Sequence, residues 1–89
     1  MIFIISYDLQ KPTQRYNELI AAIRNYSNWA CIGGSAYLIE TNESHVEVRD
    51  KLGKFLDGND MLFVANVNAP AAWQGYDNEV SQWILSKLK

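Results

Sequence analysis

Few side chains in this sequence are suited to chemistry, and the first is Asp8, the one carboxylate at the end of the apolar run Met1-Ile2-Phe3-Ile4-Ile5-Ser6-Tyr7-Asp8-Leu9. A carboxylate leaving a strand either accepts turn and helix-capping hydrogen bonds, here ahead of Thr13, or belongs to a site. Tyr7 beside it can stack or hydrogen-bond at such a site, although a strand tyrosine also serves as core. Further along, Arg49, Lys51 and Lys54 give one helix a basic side that could meet phosphates of RNA or DNA. Glu47 and Asp50 interleave with them and largely neutralise it, as on a solvated face. Trp73, Gln74, Gly75 and Tyr76 form a loop whose aromatic rings can stack on bases or anchor a protein interface. With no Lys or Arg flanking that loop, a protein partner is the favoured reading. Gly33-Gly34 lacks the spacing and the lysine of a phosphate-binding loop and reads as a turn. His45 at a helix start reads as exposed, and Cys31 as a small core residue.

The elements that would position these residues follow from the pattern of apolar side chains. The opening run is apolar on both alternating sets, Ile2/Ile4/Ser6 and Phe3/Ile5/Tyr7, which suits a strand covered on both faces. Gln10-Lys11-Pro12 is a turn and Thr13 a helix cap. Tyr16, Leu19, Ile20, Ile23 and Tyr26 recur at helical spacing and leave Arg15, Glu18 and Arg24 to solvent. Trp29-Ala30-Cys31-Ile32 and Ser35-Ala36-Tyr37-Leu38-Ile39-Glu40 are strands joined by a glycine turn or bulge. Ser44-His45-Val46-Glu47 is a capping box opening a second helix, which carries Val48, Leu52, Phe55 and Leu56 inward. Asp57-Gly58-Asn59-Asp60 is a turn, and Met61-Leu62-Phe63-Val64-Ala65-Asn66-Val67 is a strand, again apolar on both faces.

The resulting order, β-α-β-β-α-β, predicts an α+β fold of ferredoxin-like type, an antiparallel sheet with both helices on one face. Residues 1–67 form this core and residues 68–89 a C-terminal extension of the same single domain, ending in a helix with Val80, Trp83, Ile84 and Leu88 on one stripe. Two helices cover only one sheet face. The other is closed by the C-terminal helix, by a second subunit, or by a tail that crosses to the partner.

Composition points toward assembly. An 89-residue chain that is 48% hydrophobic, with three Trp, five Tyr and three Phe, holds more apolar surface than a small two-layer fold easily hides. A homodimer joined through the sheet is the economical expectation. Eight Lys and Arg against ten Asp and Glu give a net charge of −2 with no basic block, which weighs against avid, sequence-independent nucleic-acid binding. One cysteine and one histidine exclude a disulfide within the chain and a Cys/His zinc site. A reducing, cytoplasmic setting is the default. The opening run is too short to span a membrane and has no basic residues ahead of it, so it reads as mature protein with no membrane partner.

The strand ending Tyr7-Asp8-Leu9, the helix after it, the Ser35-Ala36-Tyr37 strand and Arg49-Asp50-Lys51-Leu52 resemble the CRISPR-associated Cas-two family. Ile5-Ser6-Tyr7-Asp8-Leu9-x-Lys11-Pro12 resembles more closely the small SinR-type proteins grouped beside it, with the toxin ribonuclease VapD a more distant likeness in fold. The resemblance implies a homodimer in which Asp8 of each subunit meets near the two-fold axis and, in nuclease-active members, holds a divalent metal such as Mg²⁺. Two close carboxylates repel, and a hard cation relieves that repulsion while keeping waters for phosphodiester chemistry. Ser35 matches the serine of the family's second motif, yet Cys31 and Gly33 occupy about the places of the Arg and Gln that usually precede it. One carboxylate without nearby basic groups gives little to stabilise a developing phosphorane. The expectation is therefore a non-catalytic adaptor or regulatory homodimer, with a metal-dependent endonuclease using paired Asp8, Tyr7 and Ser35 as the alternative.

Overall fold

The structure, a computed structural model, describes residues 1–10 and 14–89. The turn read at Lys11-Pro12 and the cap at Thr13 lie outside those residues. The elements run β1 (Ile2–Asp8), α1 (Gln14–Arg24), β2 (Asn28–Gly33), β3 (Ala36–Glu40), α2 (His45–Gly53), β4 (Met61–Asn66) and α3 (Asn78–Lys87). The four strands form one sheet in the order β2-β3-β1-β4 with every neighbouring pair antiparallel. This is the ferredoxin-like α+β arrangement, with α3 added to it.

Alternation along β1 sorts its side chains between two cores. Phe3, Ile5 and Tyr7 point to the face that carries α1 and α2 and pack with Leu19, Ile23, Tyr37, Ile39, Val48 and Leu52. Fully burying an aliphatic or aromatic side chain of this kind is worth about 1.5–3 kcal/mol, so this cluster dominates the stability of the fold. Ile2 and Ile4 point the other way, toward Leu38 and α3. Ser44 caps α2 as its sequence predicts: its hydroxyl accepts from the Glu47 amide at 3.1 Å, and the Glu47 carboxylate accepts from the Ser44 amide at 3.0 Å.

The C-terminal helix settles on its own sheet. Val80, Trp83, Ile84 and Leu88 pack against Ile2, Ile4 and Leu38. Asp77 caps α3 by accepting from the Val80 amide at 2.9 Å, and Lys87 near its end pairs with Glu40 of β3 at 3.0 Å. That cover stops partway along the face: Ser6 and Asp8 are exposed, and Met61 and Phe63 of β4 are 58% and 63% exposed.

Both crossover helices end earlier than the sequence reading has them: α2 stops at Gly53, so Phe55 and Leu56 pack against the core from the chain just after it. α1 ends at Arg24, where the ladder tightens into bonds from the Asn25 amide to the Ala22 carbonyl and from the Tyr26 amide to the Ile23 carbonyl, so Tyr26 packs from a turn. Between Cys31 and Gly33 the β2–β3 register shifts, a bulge at the sheet edge, and Cys31 is exposed rather than core. No helix among the described residues is long and apolar enough to cross a membrane.

Candidate functional site

The uncovered end of the second sheet face is the place where chemistry-bearing and apolar side chains meet. Antiparallel pairing sets Ser6 beside Phe63 and Asp8 beside Met61, and a shallow groove of about 520 Å³ runs between them. Asp8 is exposed here, and among the described residues no hydrogen bond or ion pair holds its carboxylate.

Beside this strand exit an anchoring role falls to Asp60. One Asp60 oxygen accepts from the Gln10 amide at 2.9 Å and the other from the Asp57 amide at 2.8 Å. These two backbone bonds hold its carboxyl below the usual aspartate range. Asp60 thereby ties the β4 entry to the β1 exit. The signal for it was present in Asp57-Gly58-Asn59-Asp60, which reads as a turn without showing which strand the turn reaches.

Tyr7 and Asp8 are neighbours in sequence and part company in space. Tyr7 is 4% exposed on the helix face, edge-on to Tyr16 with ring centroids 6.3 Å apart and stacked on Tyr37 at 6.5 Å. Burial, reinforced by Tyr16 and Tyr37, pushes its phenol well above the ordinary tyrosine range. It is a core residue, and the period-2 alternation of a strand keeps it off the surface where Asp8 stands. Ser35 is exposed in the β2–β3 turn, and its carbonyl accepts from the Tyr7 amide at 3.0 Å. That bond places it at the same end of the sheet as Asp8, on the β3 side, whereas the apolar strip lies on the β4 side.

No three His, Cys, Asp or Glu side chains among the described residues converge to hold a metal. Asp8 alone offers a single carboxylate, so a hard divalent cation there needs further oxygen ligands, for which a second copy of the chain is one source.

The basic residues of α2 are mostly committed elsewhere. Arg49 lies 2.8 Å from Asp50. Lys51 pairs with Glu43 and sits 5.3 Å from the centre of the Tyr26 ring. Lys51 and the Tyr26 hydroxyl together hold the Glu43 carboxyl below its usual range. Lys54 is exposed, and its carbonyl accepts from Arg15 at 2.7 Å. Exposed pairs of this kind contribute about 0–1 kcal/mol, but they do cancel the positive face a phosphate would meet.

The aromatic loop divides in the same way. Trp73 packs into the α3 cluster and donates from Nε1 to the Ser81 hydroxyl at 3.1 Å. Part of its area serves the protein's own second core. Tyr76 is 37% exposed.

A larger cleft of about 690 Å³ lies at the opposite end, lined by Met1, Tyr26, Glu40, Glu43 and Lys51 among others. Its polar groups satisfy one another: the Met1 amine donates to the Thr41 carbonyl at 3.0 Å, the Tyr26 hydroxyl to Glu43 at 2.7 Å, and the Asn28 amide to Glu40 at 3.0 Å.

No family model matches this chain, and no curated protein does. Among solved structures it is similar to the crystal structure of a hypothetical protein, TT1823, from Thermus thermophilus, with a TM-score of 0.69 and 21% identity over 84% of this chain and 90% of that one. At that identity the likeness shows the shared fold.

Proposed function

We propose that the protein is a homodimeric, non-catalytic module of Cas-two-like type that serves as an adaptor or regulator in a nucleic-acid-related or defence system. The observation that carries this reading is the apolar strip of Met61 and Phe63, 58% and 63% exposed on a sheet face that α3 leaves partly bare. Large apolar side chains left side by side on a small domain mark a surface that functions when covered. Light scattering over a concentration series tests it. A dimer is expected, with Phe63→Ser shifting it toward the monomer, and a species of 10.2 kDa at every concentration overturns the reading.

A second reading, a Mg²⁺- or Mn²⁺-dependent endonuclease acting on RNA or DNA, draws support from the exposed Asp8 at the same groove. It requires Asp8 from two subunits to share one ion. Cleavage that Asp8→Asn abolishes while the dimer survives would establish it, and cleavage indifferent to that change would end it.

A further inference from the structure

We infer that residues 69–89 form a cover that lifts off the sheet as one unit about Asn68, with the rest of the fold intact, and that the Lys87–Glu40 pair is its clasp. This device belongs to a single chain and does not rest on the homodimer reading.

The main-chain hydrogen bonds mark where the unit begins. The Val67 amide donates to the Ile2 carbonyl at 2.8 Å, a rung between β1 and the chain leaving β4. Beyond that rung the chain bonds to itself. The Ala69 amide donates to the Lys89 carbonyl at 3.2 Å, which joins the two ends of the segment. Between them Trp73 Nε1 donates to the Ser81 hydroxyl at 3.1 Å, and Asp77 caps α3. Among the described residues, no main-chain hydrogen bond ties residues 69–89 to the sheet, and one polar contact does so, the Lys87 ammonium on the Glu40 carboxylate at 3.0 Å. Lifting the segment therefore breaks no rung of the ladder and leaves no sheet amide orphaned. Asn68, exposed between the Val67 rung and the Ala69–Lys89 bond, is the place where the chain can turn.

The apolar contacts divide along the same line. The cluster under α3 and the cluster under α1 and α2 share no residue and lie on opposite faces of the sheet. The first buries three residues, Ile2, Leu38 and Ile84, against nine in the second, and Ile84 is the sole buried residue of the segment itself. Hydrophobic stabilisation scales with the area removed from water, so unseating α3 costs less than opening the helix face. A region with few buried apolar contacts and self-contained hydrogen bonds opens before the whole molecule unfolds.

Glu40 is well placed to hold the cover down. Its Oε1 also accepts from the Asn28 amide group at 3.0 Å, so β2 and β3 together fix the carboxylate. Lys87 comes from the last turn of α3, where a cation also suits the helix end. The pair is partly shielded, with side chains 27% and 38% exposed.

Lifting α3 bares Ile2, Ile4, Ile32 and Leu38. Met61 and Phe63 already stand open on this same face, because Ser6 pairs with Phe63 and Asp8 with Met61 in the register that sets Ile4 opposite Ala65. The bare strip then becomes one apolar face across all four strands. The seated helix withholds that face, and the clasp sets how often it is shown.

Hydrogen exchange of the full chain, followed by NMR in low denaturant, tests the device. The amides of α3 and the indole Nε1–H of Trp73 are expected to share one protection factor, lower than that of the β1, β3 and α1 amides. Ile23→Val, a mild change in the closed core, is expected to speed the β1 and α1 amides about threefold to tenfold and leave the α3 set unchanged, since α3 lifts from a core that stays folded. Lys87→Met is expected to speed both sets by about twofold to fivefold, because both openings start from the clasped state. An α3 set that speeds with Ile23→Val by the same factor as β1 opens only with the whole molecule and overturns the inference. Exchange graded inward from the ends of α3, with the Trp73 indole protected like the core, is helix fraying and overturns it too. A Lys87→Met protein that exchanges like the wild type overturns the clasp.

Discussion

On the helix face of the sheet, Phe3, Ile5, Leu19, Ile23, Ile39, Val48 and Leu52 are each at most 1% exposed, and two helices from different parts of the chain close over them. On the opposite face, Ile2, Leu38 and Ile84 are 6%, 5% and 4% exposed, while one strand-width away Phe63 and Met61 stand open to solvent. The same strands build both faces, since β1 and β4 supply apolar side chains to each. What differs is the supply of cover. A β-α-β-β-α-β chain returns both crossover helices to one side, and only the short α3 remains for the other. The lesson is that the apolar surface left open on the sheet lies where the topology ran out of helix, and the exposed Asp8 sits at that boundary.

The contrast can be broken most directly by deleting atoms on the closed face. Leu52→Ala is expected to lower the unfolding free energy by about 3 kcal/mol in urea titration, because a rigidly packed site relaxes little around a cavity. Ile84→Ala, on the half-closed face, is expected to cost less, about 2 kcal/mol, as partly exposed neighbours can settle into the space. Equal losses would mean that the second face is as well sealed as the first.

The tyrosines sharpen the comparison along a pH axis. Tyr7 and Tyr37 on the closed face, with Tyr26 packed against the same core, have phenols raised above the ordinary 10.0, chiefly by burial. A raised acid binds its proton more tightly folded than unfolded. Stability is therefore level below the unfolded value near 10.0 and falls as pH climbs beyond it, by up to about 1.4 kcal/mol per pH unit for each such group. Thermal melts above that pH should show this fall, and Tyr7→Phe should make it shallower. A variant with an unchanged alkaline slope would show that Tyr7 is not held in a dry core.

The smallest effect is expected from the residue that looks most out of place. Phe63→Ser should change the stability of the isolated subunit by no more than about 0.5 kcal/mol, because its ring is already in water there. A loss comparable to that of Ile84→Ala would show that Phe63 is covered within its own chain.

Much of this architecture was legible in the residues. Alternation in Ile2–Tyr7, the helical spacing of Leu19 and Ile23, and the Ser44/Glu47 capping box are local signals, and local signals survive folding. The stripe Val80, Trp83, Ile84 and Leu88 announced that α3 had a buried side but left open which surface it would meet, since that depends on the length and path of residues 68–77. The packing of Trp73 was hidden for the same reason: an aromatic in a loop rich in small residues does not show in the sequence that it reaches the α3 cluster. Asp8 and Asp60 illustrate the limit for carboxylates. Each follows or precedes a strand, and only the meeting of the β1 exit with the turn before β4 shows that Asp60 accepts the Gln10 and Asp57 amides. The separation of Tyr7 from Asp8, by contrast, followed from strand alternation alone.

The placement of the three tryptophans gives the molecule a built-in optical assignment. Trp73 and Trp83 both belong to the α3 cluster, and Trp29 packs on the helix face, where the Arg24 guanidinium lies 5.0 Å from its ring centre. Emission from the first pair therefore reports whether the C-terminal helix is seated, and emission from Trp29 reports the other layer. A red shift that appears in the wild type but not in a Trp73→Phe/Trp83→Phe chain would be the colour of α3 lifting from the sheet.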